Sequence, residues 1–172
     1  MNFIIDSEPA SFAQAFARVH GPSVCAFAFR VRDAARAYRE LLALGARAQH
    51  GRIGPMELHI PAIRGIGGSQ IYLVDRYGSR TIYDVDFVPL AVPRPAADGP
   101  GLCAVDHITH NVQQGRMDHW AQFYQRLFGF PALAPLQVRG RSPGHGVVLP
   151  SGEYLAVVED RTAPGGIASG AI

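Results

Sequence analysis

A histidine in a short alternating segment offers the clearest chemistry in this chain. His107 lies in the run Val105 to Val112, where apolar and polar side chains alternate as they do on a half-buried strand. An imidazole on the inner face of such a strand is a candidate metal ligand. Taken by itself, His107 is more simply interpreted as a hydrogen-bonded histidine inside a β-structure. His110 follows three positions later, so it faces the opposite side and does not form a chelating pair with His107.

The other histidines do not predict a second metal site. His110 is expected to contact the neighbouring helix, and His119 falls on the exposed side of that helix. The remaining histidines are expected in turns or at strand edges, exposed to solvent: His20, His50, His59 and His145.

Two further motifs are better explained by structural roles than by ligand binding or catalysis. The segment Gly65 to Ser69 is suited to a phosphate, but no helix pattern follows whose N-terminus would complete that site, so a tight turn is predicted. Asp75 and Arg76 are interpreted as charges at a strand end. Asp84 and Asp86 are expected on one face of a strand and, without a third group, do not make an acid-base site.

Composition narrows the class of ligand. The chain has 172 residues, with 16 basic and 14 acidic side chains that form no run of one sign. No footprint for nucleic acid or anionic lipid is visible, so we expect a small-molecule ligand. Cys25 and Cys103 have apolar neighbours and are expected to be free thiols in a reducing compartment. Because no signal peptide or apolar membrane span is recognisable, a cytoplasmic protein is predicted.

The first half of the chain predicts a β-α-β-β-β unit. Ser23 to Val31 has the pattern of a strand, and Asp33 is suited to cap an amphipathic helix that Gly45 ends. Phe3 to Ile5 is a further short strand candidate near the N-terminus. The later strands are predicted at Met56 to Ile60, Gln70 to Val74 and Thr81 to Val88.

The same order of elements restarts after a segment rich in proline and glycine, residues 91–101, which predicts a linker. The His107 strand is followed by a helix whose large apolar residues recur every three or four positions and which Gly129 ends. This stripe is interpreted as core packing: Met117, Trp120, Phe123, Tyr124, Leu127 and Phe128. The later strands are predicted at Leu136 to Val138, Gly146 to Leu149 and Tyr154 to Val158, so the chain contains an internal repeat.

Repeated β-α-β-β-β units are typical of an α+β fold, the vicinal oxygen chelate type found in glyoxalases and dihydroxybiphenyl dioxygenases. Specific stretches strengthen this interpretation: His20 to Cys25, Gly54 to Leu58, Ile60 to Ile63, Gly65 to Ser69, Tyr72 to Arg76, Ile82 to Phe87 and Asp106 to Phe130. In these stretches the chain resembles 4-hydroxyphenylpyruvate dioxygenase, an iron enzyme of tyrosine breakdown. The resemblance spans residues 1–130 and is poor beyond Pro131.

The resemblance implies a division of the chain. Residues 1–90 correspond to a metal-free scaffold unit, the second half of the family's N-terminal domain. Residues 91–101 form the linker, and residues 102–172 correspond to an incomplete first half of the catalytic domain. Aligning the opening strands by Val31 and Val112 places Ala26 opposite His107, which agrees with a first unit that lacks a metal ligand.

The resemblance also implies an iron centre of two histidines and one glutamate, which would bind a 2-oxo acid and dioxygen. His107 matches the first ligand, whereas the other two belong to a fourth unit that this sequence is not expected to contain. We therefore expect a truncated form of an enzyme that converts 4-hydroxyphenylpyruvate and dioxygen into homogentisate and CO2.

Two alternatives stay open. One is an inactive fragment or paralogue that acts as a scaffold or binding module. The other is a homodimeric metal protein that uses His107 and Glu159 from two chains, because Glu159 ends the last predicted strand. Exposed sheet edges predict a homo-oligomer in either case.

Overall fold

A computed structural model describes residues 3–51, 58–88, 101, 105 and 107–132, together with the backbone of residues 144–148 and 154–160. The first part of the chain holds α1 (Phe12–His20), β1 (Ala26–Arg30), α2 (Ala34–Ala43), β2 (Ala48–Gln49), β3 (Ala62–Arg64), β4 (Gln70–Val74) and α3 (Tyr83–Asp86). The second part holds β5 (His107–Gln113), α4 (Met117–Phe128), β6 (Gly144–Val148) and β7 (Tyr154–Asp160).

The first unit is a four-stranded sheet in the order β1-β4-β3-β2. β1 pairs in parallel with β4, and β3 pairs in antiparallel fashion with β4. A parallel pair needs a crossover between its strands, and α2 lies in that crossover. Phe27 and Phe29 pair with Ile71 and Leu73, both of which are almost fully buried. This face of the sheet therefore packs on the core.

The second unit repeats this arrangement in the order β5-β7-β6. β5 pairs in parallel with β7, and β6 pairs in antiparallel fashion with β7. Ala26 and His107 each begin the opening strand of their unit and each form the first pair of a parallel ladder. The internal repeat and the equivalence of these two positions, both expected from the sequence, are confirmed.

Local hydrogen bonds explain where α2 begins and ends. The side chain of Asp33 accepts from the backbone N–H of Arg36 at 2.8 Å, and Asp75 accepts from that of Ala34 at 2.9 Å. Gly45 has a φ of +88°, and its N–H donates to the carbonyl of Leu42 at 3.0 Å, which ends the helix as predicted.

Several sequence predictions are corrected. The segment Thr81 to Val88 contains the short helix α3, because the side chain of Asp84 accepts from the N–H of Thr81 three positions earlier. Asp86 accepts from the N–H of Leu58, which is distant in the chain. Residues 58–60 are outside any strand, as are residues 3–5. The sheet instead uses β2 and β3. The remainder of the Met56 strand prediction and the strand predicted at residues 136–138 lie outside the described residues.

The sequence patterns considered above did not predict helix α1, although the signals for it are present. Ser11 accepts from the N–H of Gln14 at 3.1 Å as a helix cap, and Gly21 follows the last residue with a φ of +76°. Phe12 and Phe16 contact each other one turn apart, with ring centroids at 5.9 Å. In the described part of the chain, no helix has the length and apolar character needed to cross a membrane.

The two units share one hydrophobic core. Phe29 of β1 contacts Phe128 and Phe130 of the second unit, with ring centroids at 5.0 and 5.7 Å. The buried residues of this core come from both units: Ala34, Leu41, Ile63, Ile66, Ile71, Leu73, Val112, Tyr124, Leu127 and Phe130. Each large side chain contributes roughly 1.5 to 3 kcal/mol on burial. The prediction that the stripe of α4 is core packing is confirmed.

Replacing Asp33 with alanine removes the acceptor for the N–H of Arg36. We expect the free energy of unfolding to fall by about 1 kcal/mol. Urea denaturation followed by circular dichroism measures this difference. Asp33→Asn keeps a side-chain acceptor and is expected to stay within a few tenths of a kcal/mol of the original. Equal losses in both variants would contradict the assigned cap.

Candidate functional site

The two faces of β5 have different surroundings. His110 and Val112 are 6% and 2% exposed and face the shared core. The other face carries the polar residues His107, Thr109, Asn111 and Gln113. The expected separation of His107 and His110 onto opposite faces is confirmed, as is the contact of His110 with the helix, because its ring centroid lies 6.3 Å from that of Tyr124 on α4.

His107, the predicted iron ligand, lies at the start of β5 with an exposed side chain. Its face is turned away from the shared core, so the imidazole is accessible to a ligand from that side. Among the described residues, no group of three or more histidine, cysteine, aspartate or glutamate side chains is placed to hold a metal ion. The assignment of His107 as a metal ligand stays a prediction.

Glu159 is placed by its backbone register. It pairs with Val112, whereas His107 pairs with Tyr154, five positions earlier on β7. Because positions an odd number of residues apart lie on opposite faces of a strand, Glu159 and Tyr154 occupy opposite faces of β7. This register does not bring the positions of His107 and Glu159 together within one chain. The shared two-chain site stays a prediction.

Two clefts lie away from His107. One, of about 220 Å³, lies between the first unit and the start of α4 and is lined by Ile66, Val112, Gln113, Arg116, His119 and Trp120. The other, of about 360 Å³, lies beside the start of α2 and includes His59, Asp75 and Arg76. His107 lines neither of these two clefts.

His110 and Tyr124 form a pair of buried polar side chains. The sequence predicted that His110 contacts the helix, but not that both polar groups are buried. His110 Nε2 and the Tyr124 hydroxyl each lack a hydrogen-bond partner in the part of the chain that the structure describes. Burial lowers the pKa of His110 to about 4 and raises the pKa of Tyr124 well above its usual value. Both groups are therefore neutral near pH 7. The signal available in the sequence was the polar position His110 on the apolar face of the strand.

The remaining predicted polar positions have structural roles or stay at the surface. His20 is half-buried, and its Nε2 lies 3.1 Å from the carbonyl oxygen of Gly67, so the prediction of simple exposure is wrong for this residue. His50, His59 and His119 are exposed as expected. The side chain of His145 lies outside the described residues. Cys25 is a free thiol whose pKa is raised by burial, whereas Cys103 lies outside the described part.

The segment Gly65 to Ser69 is a tight turn between β3 and β4, as predicted. Gly68 has a φ of +84°, which favours glycine. A Cβ atom on Gly65 would lie 2.8 Å from Ser69 Oγ and 3.1 Å from Ile71, so a larger residue there would force these side chains to shift. β4 follows directly, and the segment is explained by the geometry of the turn.

The fold and the repeated units define the class of this protein. A structure titled "xylose isomerase-like TIM barrel/4-hydroxyphenylpyruvate dioxygenase fusion protein" superposes with a TM-score of 0.73 at 32% identity, covering 91% of this chain and 24% of that one. Parallel pairing of the first and last strands in both units matches the expected vicinal oxygen chelate type. The protein has this α+β fold.

Sequence comparison identifies the family within that class. The family model "Hydroxyphenylpyruvate dioxygenase, HPPD, N-terminal" matches residues 1–88. Hemolysin VllY of Vibrio vulnificus is 50% identical over 146 residues, and 4-hydroxyphenylpyruvate dioxygenase of Pseudomonas sp. (strain P.J. 874) is 49% identical over 145. Each match covers 84% of this chain and 41% of the relative. The chain belongs to the 4-hydroxyphenylpyruvate dioxygenase family and spans about two-fifths of the length of these relatives.

The unpartnered hydroxyl of Tyr124 leads to a stability test. Tyr124→Phe removes a buried polar atom without changing the packed ring, so we expect the free energy of unfolding to rise by up to about 1 kcal/mol. Tyr72→Phe is the matched control, because the Tyr72 hydroxyl donates to Gln70 and its loss is expected to cost about 1 kcal/mol. Urea denaturation measures both. A loss of stability in Tyr124→Phe would show that its hydroxyl is hydrogen-bonded.

Proposed function

We propose that this chain functions in the 4-hydroxyphenylpyruvate dioxygenase reaction, in which the 2-oxo acid and dioxygen yield homogentisate and CO2. The observation that carries this proposal is the 49% identity to a relative of that name over 145 residues. The match covers 41% of the relative, so the complete reaction is assigned here only as a proposal. Substrate and dioxygen are the small-molecule partners that it implies.

The family's ferrous iron sets a requirement that the described residues meet only in part. Such iron would bind the 2-oxo acid and activate dioxygen, and this needs three protein ligands on one side of the metal. His107 supplies an accessible imidazole, but the described residues do not form a group of three ligands. We assign His107 the role of one ligand, with the others coming from outside the described residues or from another chain.

A scaffold or binding module is the second candidate function. The shared core of the two units favours such a role, because buried residues from both units pack into one cluster. This protein would bind partner chains or a small molecule and would not turn over 4-hydroxyphenylpyruvate.

Anaerobic loading with ferrous iron separates these functions. We expect the purified chain to bind iron through His107, and His107→Ala to weaken binding at least about tenfold because a direct ligand is lost. His119→Ala is the matched control, since this exposed helical histidine contributes no predicted ligand. Metal analysis after gel filtration gives iron per chain, and light scattering gives the oligomeric state.

Oxygen uptake on adding 4-hydroxyphenylpyruvate then tests the reaction. Iron-dependent uptake that His107→Ala abolishes supports the dioxygenase assignment. Iron without turnover that is lost in Glu159→Gln would instead assign the two-chain site. Failure of the folded chain to bind iron would leave the scaffold function, and equal binding by His107→Ala and the original would remove His107 from the site.

A further inference from the structure

The two units meet at a group of rings that we call the joint: Phe27, Phe29, His110, Phe128 and Phe130. Phe27 of β1 lies 5.8 Å from His110 of β5, measured between ring centroids. Phe29 lies 5.0 Å from Phe128 and 5.7 Å from Phe130. Each strand ladder lies within one unit, whereas these contacts connect the units.

His110 is the titratable member of the joint. Its side chain is 6% exposed, and its Nε2 has no hydrogen-bond partner in the described part. The ring lies between Phe27 of the first unit and Tyr124 of α4. A neutral imidazole is tolerated in such a place, but an imidazolium without a partner carries a large desolvation cost.

We propose that the joint is an acid-sensitive switch, in which protonation of His110 separates β1 of the first unit from β5 and α4 of the second. The two sheets stay folded because their hydrogen-bonded ladders are internal to the units. Opening gives His110 access to water and exposes the aromatic faces of β1 and α4.

The groups around His110 determine whether its charge is compensated. β1 presents Phe27 to His110, and Arg30 alternates to the other face. α4 presents Tyr124, whose hydroxyl stays protonated because burial raises its pKa, and the charged residues Asp118 and Arg126 are exposed. Within β5, His107 lies on the opposite face.

On β7, the register partner of His110 is Val157, which pairs in turn with His145 on β6. His145 is therefore a second titratable position in this row, and His145→Gln tests it. On β7, Glu159 follows Val157 two positions later on the same side of the alternation. Glu159 is therefore the acidic position on that strand to be tested as a counter-charge for His110.

The direction of the pH effect follows from the two states. In the closed joint burial holds the pKa of His110 at about 4, whereas in the open joint it returns toward 6.5. Between these values the open state binds more protons, so opening becomes more favourable as the pH falls below about 6.5. The effect levels off below about pH 4. A difference of this size changes the equilibrium between open and closed states by up to about 300-fold.

Urea titrations at a series of pH values test the switch with two probes. Near-ultraviolet circular dichroism and the fluorescence of Trp120, the single tryptophan of the chain, report aromatic packing around α4. Far-ultraviolet circular dichroism reports the helices and sheets. We expect the packing signals to be lost before the secondary structure, with a gap that widens from pH 7 to pH 4. Coincident transitions at every pH would overturn the proposal.

Variants identify the group that titrates. His110→Gln and His110→Phe are expected to abolish the widening of the gap between the packing and secondary-structure transitions. Two variants are used so that a folding defect in one of them does not prevent the test. His50→Gln, at an exposed histidine outside the joint, is expected to behave like the original. Glu159→Gln is expected to leave the pH dependence unchanged. A shift in the midpoint of the pH dependence would show that Glu159 compensates the charge of His110, and this would contradict the proposal. An unchanged pH dependence in the His110 variants would also overturn the switch.

Discussion

The alternation of side chains along β5 is the constraint on which both the fold and the candidate chemistry depend. One face of this strand enters the shared core with His110 and Val112, and the other carries His107 and remains accessible. Two histidines three positions apart therefore have opposite environments. A shift of one residue in register would bury His107 and expose His110, which would remove both the accessible imidazole and the packing between the units.

Repetition of the unit explains why one half of the chain carries a candidate ligand and the other half does not. Ala26 and His107 occupy equivalent first positions in the opening strands of their parallel ladders. A methyl group at the first of these positions offers nothing to a metal. The first unit instead contributes packing through Phe27 and Phe29, which bury an apolar face against the second unit. The chemical difference between the units thus comes from one position of a shared pattern.

Strong local patterns were predictable from the sequence, whereas partners distant in the chain were not. The caps at Asp33 and Gly129 and the apolar stripe of α4 predicted their helices because these signals act within one or two turns. The strand predicted at residues 81–88 is wrong because the side chain of Asp84 accepts from the N–H of Thr81 three positions earlier, which favours a helical turn. Asp86 accepts from the N–H of Leu58, a partner distant in the chain that the sequence did not predict. The face of His110 followed from spacing, but its burial between two units required the tertiary structure.

The packing of the two units also restricts where a metal site can be completed. The faces of β1 and β5 that carry Phe27 and His110 meet in the joint, so the faces that carry Ala26 and His107 are turned away from it. The first unit contacts β5 through the joint, and therefore on the face of β5 that carries His110. Further ligands that join His107 at a metal must therefore approach from the accessible face of the second sheet. The proposed iron centre thus depends on groups other than those that hold the two units together.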